Sequence, residues 1–598
     1  MIADTRARCR LGSASVTSCV FVLLACLVGT GPAAAQIGLG GGVGGPGAED
    51  VLSAGSNLQL TDVTVELRGP AAAASSEALK TQALKVLGFS PGDQFNDILA
   101  QQGLARVRGL EGVAHASYRV VRTTNPSGRT LVLTLTTRPS SPAGGPAQAE
   151  AQVSTSFPVL YQDKSTLFRV LLNGGVGVFS DTTPWFGNPF TYTRLNPLVQ
   201  SPAAGAQTGR TASWIENYVE YGLGGATQLG SSPFYVYGAG TFVTVMSTGQ
   251  DIFRDDARST TNVEKLYAGL IYADSSGGPR VNISVGRQNF TLNDGFLVAQ
   301  HGSQWNAGPR PGVYLAPRTT HDFAALATVK WDQWTWTNFY LNPNEYEPIE
   351  SNTNLTGTNL RYNVTKRFFG DLSYLYVPQS DTRYTAPDGT RSAREGLRTY
   401  AGHIRWADPS VVDGLWLESE AARQTHDDFD MDARAAYGTV GFLARALPWT
   451  PSLSYRYAYF SGDNPNTRTY ERFDSLYSGG LNEWLQGITI NKALSQPNRV
   501  THRIRFNVAP GPRLNLTLDY YRHEADEFNN RGGNPALSQL QSKDLGHEVQ
   551  LATRWAISDS LYFLGIASHA MPGDALKLAT PDPDKAWSTV QAQLFWNF

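Results

Sequence analysis

Cysteine is almost missing from this chain of 598 residues: it occurs at positions 9, 19 and 26 and nowhere beyond. Past residue 26 the chain offers no thiol nucleophile, no cysteine metal site and no disulfide staple, as suits an exported protein stabilised by a closed sheet. Charged residues make up only 17% of the sequence and nearly cancel, at a net −2, so the basic excess that a nucleic-acid partner requires is absent. Also lacking, after the first thirty-odd residues, is any continuous apolar run long enough for a membrane-spanning helix. If the chain crosses a bilayer, it crosses with strands.

The N-terminus has the three parts of an export signal. Arg6, Arg8 and Arg10 form a positive start, Val16 to Val28 an apolar run, and Ala33-Ala34-Ala35 before Gln36 a small-residue cleavage site. Leu23-Leu24-Ala25-Cys26 is a less well formed lipoprotein-type competitor, and the apolar run is too short for a membrane anchor. Residues 1–35 are therefore expected to be a signal peptide, and the Gly-rich residues 36–56 a linker.

A different texture covers residues 57–139. Leu58 to Leu67 alternates like a half-buried strand, and Ser76 to Leu87 places Leu79, Ala83, Leu84 and Leu87 at helical spacing before Gly88. Phe95 to Val107 reads as a second helix. Ala114–Arg122 and Arg129–Thr136 read as strands joined by the turn Asn125-Pro126-Ser127-Gly128. This strand–helix–helix–strand–strand order, with Gly92 to Phe95, Leu110-Glu111-Gly112-Val113 and Gly128 to Leu135, resembles a single POTRA domain, the periplasmic module of many outer-membrane transporters. An unrelated small α+β adaptor fits the same pattern. Residues 140–163 are expected to be a linker, rich in Pro, Ala and Gly at its start.

From residue 164 to 598 the texture is uniform. Segments of about ten residues alternate apolar and polar, as strands do when one face meets lipid and the other a wet lumen. Eighteen such segments run from Thr166–Phe179 to Trp587–Phe598, although sixteen strands also fit. Their links alternate between short, as at Asp332-Gln333 and Pro510-Gly511-Pro512, and long, as at 180–212, 291–321, 461–499 and 523–544. A barrel with short turns on one side of a membrane and long loops on the other requires that alternation; a soluble sandwich does not. The expected fold is thus an all-β transmembrane barrel of about eighteen antiparallel strands, preceded by a small α+β, POTRA-like domain. Trp331, Trp334, Trp406, Trp449 and Trp555 near strand ends suit interfacial girdles. The last segment puts Val590, Ala592, Leu594, Trp596 and Phe598 on one face. Its terminal Phe resembles the signal by which outer-membrane barrels are recognised for insertion.

Alternation also sorts the lumen. Parity directs Arg169, Arg361, Arg405, Arg456, Arg503, Arg505 and Arg554 inward, with Asn173, Asn363, His403 and Asn507. The acids Glu216, Glu220, Glu418, Glu420 and Glu548 are also expected inside. Rings of arginine select anions, whereas arginines and acids paired on neighbouring strands only brace the wall; both readings remain open for each arginine. Arg287 would point to lipid by strict parity, so a bulge near Gly286 is expected to re-aim it.

Val285-Gly286-Arg287-Gln288-Asn289-Phe290 with Asn293-Asp294-Gly295 is similar to a stretch of the alginate-export family of outer-membrane barrels. The same holds for Tyr459-Phe460-Ser461-Gly462-Asp463, Arg472 to Tyr477, Trp484, Leu545-Gly546-His547-Glu548 and Met571 to Ala575. The resemblance implies an eighteen-stranded barrel whose electropositive pore conducts an acidic exopolysaccharide; the small N-terminal domain departs from the family's simplest form. Small anionic solutes are a second cargo class. Protein translocation or assembly of the two-partner secretion type is the alternative, but its Val-Arg-Gly-Phe or Val-Arg-Gly-Tyr motif is not found inside the barrel.

No catalytic constellation is apparent, and no cofactor is expected. Asp428, Asp430 and Asp432 have the spacing that opens a calcium loop, but Ala433 and Thr439 stand where its Gly and Glu belong, so a metal is not expected either. The expected partners are outer-membrane lipid, the barrel-assembly machinery and a periplasmic partner or substrate at the small domain.

Overall fold

The structure is a computed structural model. It describes residues from 60 onward except 61, 69–72, 92, 94, 123–128, 138–156, 164, 186–210, 252–255, 274–277, 300–307, 316–319, 366, 387, 409, 479–483, 512, 532–536, 559 and 580–584. The expected signal peptide, Gly-rich linker and Asn125–Gly128 turn lie outside the described residues, as does most of the 140–163 linker.

The small domain runs β1 (Asp62–Arg68), α1 (Ala73–Leu87), α2 (Asp97–Arg108), β2 (Val113–Arg122) and β3 (Arg129–Thr137). The end of α1 and the start of α2 are both set locally. Gly88 follows α1 at φ +81°, a conformation that costs glycine nothing. The Asn96 side chain accepts from Leu99 N at 3.1 Å and caps the start of α2. The sheet order is β1-β3-β2, with β1 parallel and β2 antiparallel to β3. Leu87, Leu99, Leu104, Leu131 and Leu133 are buried between sheet and helices.

A short strand β4 (Val159–Gln162) precedes the barrel. The wall then runs β5 (Thr166–Thr182), β6 (Thr211–Gln228), β7 (Phe234–Gln250), β8 (Arg258–Ala273), β9 (Arg280–Arg287), β10 (Phe323–Trp331) and β11 (Trp334–Asn342). It continues through β12 (Asn354–Thr365) and β13 (Phe368–Gln379). A two-stranded hairpin, β14 (Arg383–Thr385) with β15 (Arg391–Ala393), stands outside the wall. The wall resumes with β16 (Leu397–Trp406), β17 (Leu415–His426), β18 (Ala433–Leu443), β19 (Ser452–Phe460), β20 (Arg499–Gly511) and β21 (Leu514–Ala525). It ends with β22 (Asp544–Ala556), β23 (Leu561–Pro572) and β24 (Trp587–Asn597). Eighteen antiparallel strands close through β24 on β5, from Asn597↔Asn173 to Ser588↔Thr182, which decides between the sixteen- and eighteen-strand readings. No helix among the described residues is long and apolar enough to cross a membrane.

The pleat is visible in the burial. Along β7, Tyr235, Tyr237, Ala239, Thr241, Val243 and Val245 are buried inside, whereas Phe234, Val236, Phe242 and Met246 are exposed outside. Trp331, Trp334, Trp406, Trp449 and Trp555 all lie at or beside short turns, so they mark one end of the barrel. Two departures re-aim side chains. A register shift between Thr241 and Phe242 leaves Glu264 extra on β8, so that it and Lys265 both turn inward. At Gly286 the β9 ladders carry no shift, so the bulge expected there is not the device. Gly286 instead takes φ +118°, the strand ends one residue later, and Arg287 pairs with Asp322.

Candidate functional site in the barrel lumen

Two long loops fold into the lumen and lock onto its wall. In the 288–322 loop, Asn293 donates to Asp371 Oδ1 at 2.7 Å and accepts from Arg361 at 3.0 Å. Its neighbour Asp294 accepts from Tyr437 Oη at 2.8 Å. Phe296 packs on Tyr437 and on Trp484, with ring centres 5.2 and 4.9 Å away. Farther along, Glu216 Oε2 takes the amides of Tyr314 and Leu315 at 2.9 and 2.6 Å, and Oε1 that of Val313 at 2.7 Å. A buried carboxylate thus caps a bend of the loop with charge-assisted bonds.

The 461–498 loop is held by β22, β23 and β5. Glu548 accepts from Ser568 Oγ at 2.6 Å and from the Ile490 amide at 2.7 Å, while Lys492 reaches Asp181 at 2.5 Å. Gly487, at φ +101°, passes so close that a Cβ would stand 2.6 Å from Glu548. The two loops also join each other: Ala299 N donates to Tyr477 O at 3.0 Å and Tyr477 N to Leu297 O at 3.1 Å.

The arginines expected in the lumen occupy its inner face in several settings. Arg361 binds Asp371 with Nε and Nη2 at 3.1 and 2.9 Å. Arg405 pairs with Glu418 at 3.1 Å, and Arg505 with Asp519 at 2.5 and 3.0 Å. Arg169 donates to the carbonyl oxygen of Phe598 at 3.0 Å, and the half-buried Arg554 to Thr517 at 3.2 Å. Arg456 donates to Thr439 at 2.8 Å and lies 5.0 Å from the ring centre of Tyr437 and 4.8 Å from that of Trp484. Its register partner across β19–β20 is Arg503. Arg499, Arg503 and Arg505 share the inner face of β20, so four buried arginines line one stretch of wall.

Asp371 was not among the acids expected inside, although parity with the outward Leu372 marks it. It gathers Arg361, His403, Asn359 and Asn293, the last at 2.7 Å and the others at 2.9–3.1 Å. Nor were the loop contacts of Glu216 and Glu548 foreseen, since no periodicity shows where a long loop returns. The Asn293, Asp294 and Trp484 positions quoted for the family resemblance are the points where the loops meet the wall.

Outside the lumen, two Asp427–Asp432 carboxylates are taken by arginines. Asp432 meets Arg423 at 2.8 Å and Arg434 at 2.6 Å, and Asp427 meets Arg398 at 2.8 Å. Among the described residues, no group of three or more His, Cys, Asp or Glu is placed to hold a metal. His547 and Glu548 face opposite sides, His547 bonding Tyr520 Oη at 2.7 Å.

A family model described as "Alginate export" matches residues 241–586, more than half of the chain. No curated protein matches it. Among solved structures, OccK7 (OpdD) of Pseudomonas aeruginosa superposes with a TM-score of 0.45 at 11% identity, covering 72% of this chain and 98% of its own. OpdQ of the same organism gives 0.43 at 9%, covering 72% and 97%.

Proposed function

Because the chain belongs to the alginate export family, an outer-membrane barrel family, we propose that it conducts an acidic polysaccharide or small anionic solutes outward through its lumen. The observation that carries the anionic cargo is the wall of β19 and β20. Arg456 and Arg503 stand directly opposite each other in register, with Arg499 and Arg505 on the same face. Four buried guanidinium groups on one stretch of wall make a positive face of the kind that draws anions into a pore. Asp519 on Arg505 and Glu548 near the second loop temper the field, which keeps binding weak enough for release.

The channel works without catalysis or a cofactor. Lipid surrounds the apolar outer face, the assembly machinery inserts the barrel, and the short turns face the periplasm. An even strand number returns both ends of the barrel to that side, with the small domain. Its strand–helix–helix–strand–strand order supports a POTRA-like module, available to a periplasmic partner or substrate.

Reversal potentials across planar bilayers test the cargo class. The wild-type pore is expected to prefer anions, and Arg456→Gln with Arg503→Gln to reduce that preference, most clearly at low salt, where screening is weakest. A cation-preferring wild-type pore, or an anion preference unmoved by the double change, would remove the basis for an anionic cargo.

A further inference from the structure

The small domain sits inside the short-turn mouth of the barrel rather than beneath it. Its second helix, α2, lies on the lumenal faces of the first wall strands. Ile98 meets Gly224 so closely that a Cβ there would stand 2.8 Å from the Ile98 side chain and 3.0 Å from that of Leu171. Ile98, Leu99, Leu104 and Val107 share one buried cluster with the wall residues Ala226, Tyr235 and Tyr237.

Polar contacts extend this seat around the mouth. Asn96 reaches Tyr267 on β8 at 3.4 Å, and the Arg106 guanidinium lies 5.1 Å from the ring centre of Tyr235. Arg280 on β9 donates to Gly88 O at 2.9 Å, filling the space a side chain at Gly88 would need. Lys330 on β10 pairs with Asp93, and Arg367, after β12, pairs with Asp62 at 3.2 Å. Contacts therefore run from β5 round to the turn after β12, an arc of eight of the eighteen wall strands.

These anchors differ in strength. Arg367 is 40% exposed beside a cleft of about 460 Å³ at the seam, so its pair with Asp62 contributes little. Asp93 and Lys330 are 12% and 21% exposed, and Arg280 lies close by with its own bond to the domain. A single acid of the small domain thus faces two lumenal cations. The apolar seat takes in Ala226, Tyr235, Tyr237, Ala239, Ile271 and Ala273 of the wall, and removing that acid leaves the two cations facing the domain without their counter-charge.

We propose that the small domain is a built-in stopper, seated in the barrel mouth by α2 and latched by Asp93 against Lys330, which lifts when the channel opens. The stopper rests on the conduit reading but not on what is carried. It deals with how often the mouth is open, whereas cargo class is read from ion preference.

The test uses the full chain with one added thiol, Ala226→Cys, under α2 on the lumenal wall. Labelling by a membrane-impermeant maleimide is followed in folded, heat-modifiable protein, together with open probability in planar bilayers. Asp93→Asn keeps an acceptor for the Ser90 amide but removes the charge, and Lys330→Met removes the partner. Each single change is expected to raise labelling and open probability about fivefold, the coupling usual for a half-buried charged contact. The pair together should do no more than either alone. Gly224→Val, which carries no charge change, should also raise both by forcing Ile98 off the wall. Unchanged labelling in all three variants would overturn the stopper, and so would faster labelling with no change in open probability. A wild-type pore that prefers cations, with labelling raised in the variants, would count against the cargo reading and leave the stopper standing.

Discussion

The Asp371 side chain has no solvent exposure and bonds to side chains from β12, β16 and the 288–322 loop. A buried carboxylate with that many donors binds elements together, but the pair it forms with Arg361 is not itself a large source of stability. Removing one partner is what costs, because the other charge stays buried without compensation. Asp371→Asn should therefore lower unfolding stability by about 3 kcal/mol, read from urea titration of tryptophan fluorescence. Arg361→Gln added to it should cost less than the sum of the two single changes. Additive effects would mean that the charges do not interact. The inward direction of Arg361, Arg405 and Arg505 could be read from alternation alone. Their partners could not. Asp371, Glu418 and Asp519 become neighbours only through cross-strand register, which the turns set and the pleat does not encode.

The same division separates strands from loops. The wall strands follow a period of two that the sequence displays, interrupted at Glu264–Lys265 on β8, and many extend past what a bilayer needs, β6 to eighteen residues. A long loop has no period, so the return of residues 288–322 and 461–498 into the lumen has no local signature. It depends on single polar residues such as Glu216 and Glu548 far away in the chain. One carboxylate of the second loop, bonded within that loop and to Asn529, gives the loop's packing a pH dependence. Asp463 accepts the Glu471 amide at 3.0 Å, and burial pushes its carboxyl up from 3.8 to about 6. The amide and Arg472 pull that value down, while Glu471 and Glu527 push it up. A raised value means that the docked loop favours the neutral acid. Its stabilisation is complete below about pH 4 and is lost as pH rises through about 6. Single-channel conductance should shift across that interval as the loop loosens, and Asp463→Asn should flatten the shift. A profile identical in the variant would assign the pH response to another group.

At the scale of the whole molecule, closure depends on the two ends of the wall finding each other. The barrel has no free edge only because β24 lies along β5, and their ten register pairs join residues more than four hundred positions apart. Gly174 and Gly175 make the fit possible, since a Cβ at either would meet the Trp596 or Phe595 ring. The end of the chain adds a clasp. Phe598 N donates to Leu172 O at 2.9 Å, its carbonyl accepts from Arg169, and its ring lies 6.3 Å from that of Phe157. The expected recognition of a terminal aromatic during insertion and this clasp both involve Phe598, and they can be separated. Deleting Phe598 removes the ring and the clasp together, whereas Phe598→Ala keeps the backbone bonds and removes only the ring. If recognition of the ring governs insertion, both variants should lose most of the heat-modifiable, folded band in outer-membrane fractions. Unassisted refolding into detergent should then fail only for the deletion. If closure alone matters, Phe598→Ala should insert as the wild type does. Arg169→Met, which removes the clasp and keeps the ring, should then be the impaired variant in both assays.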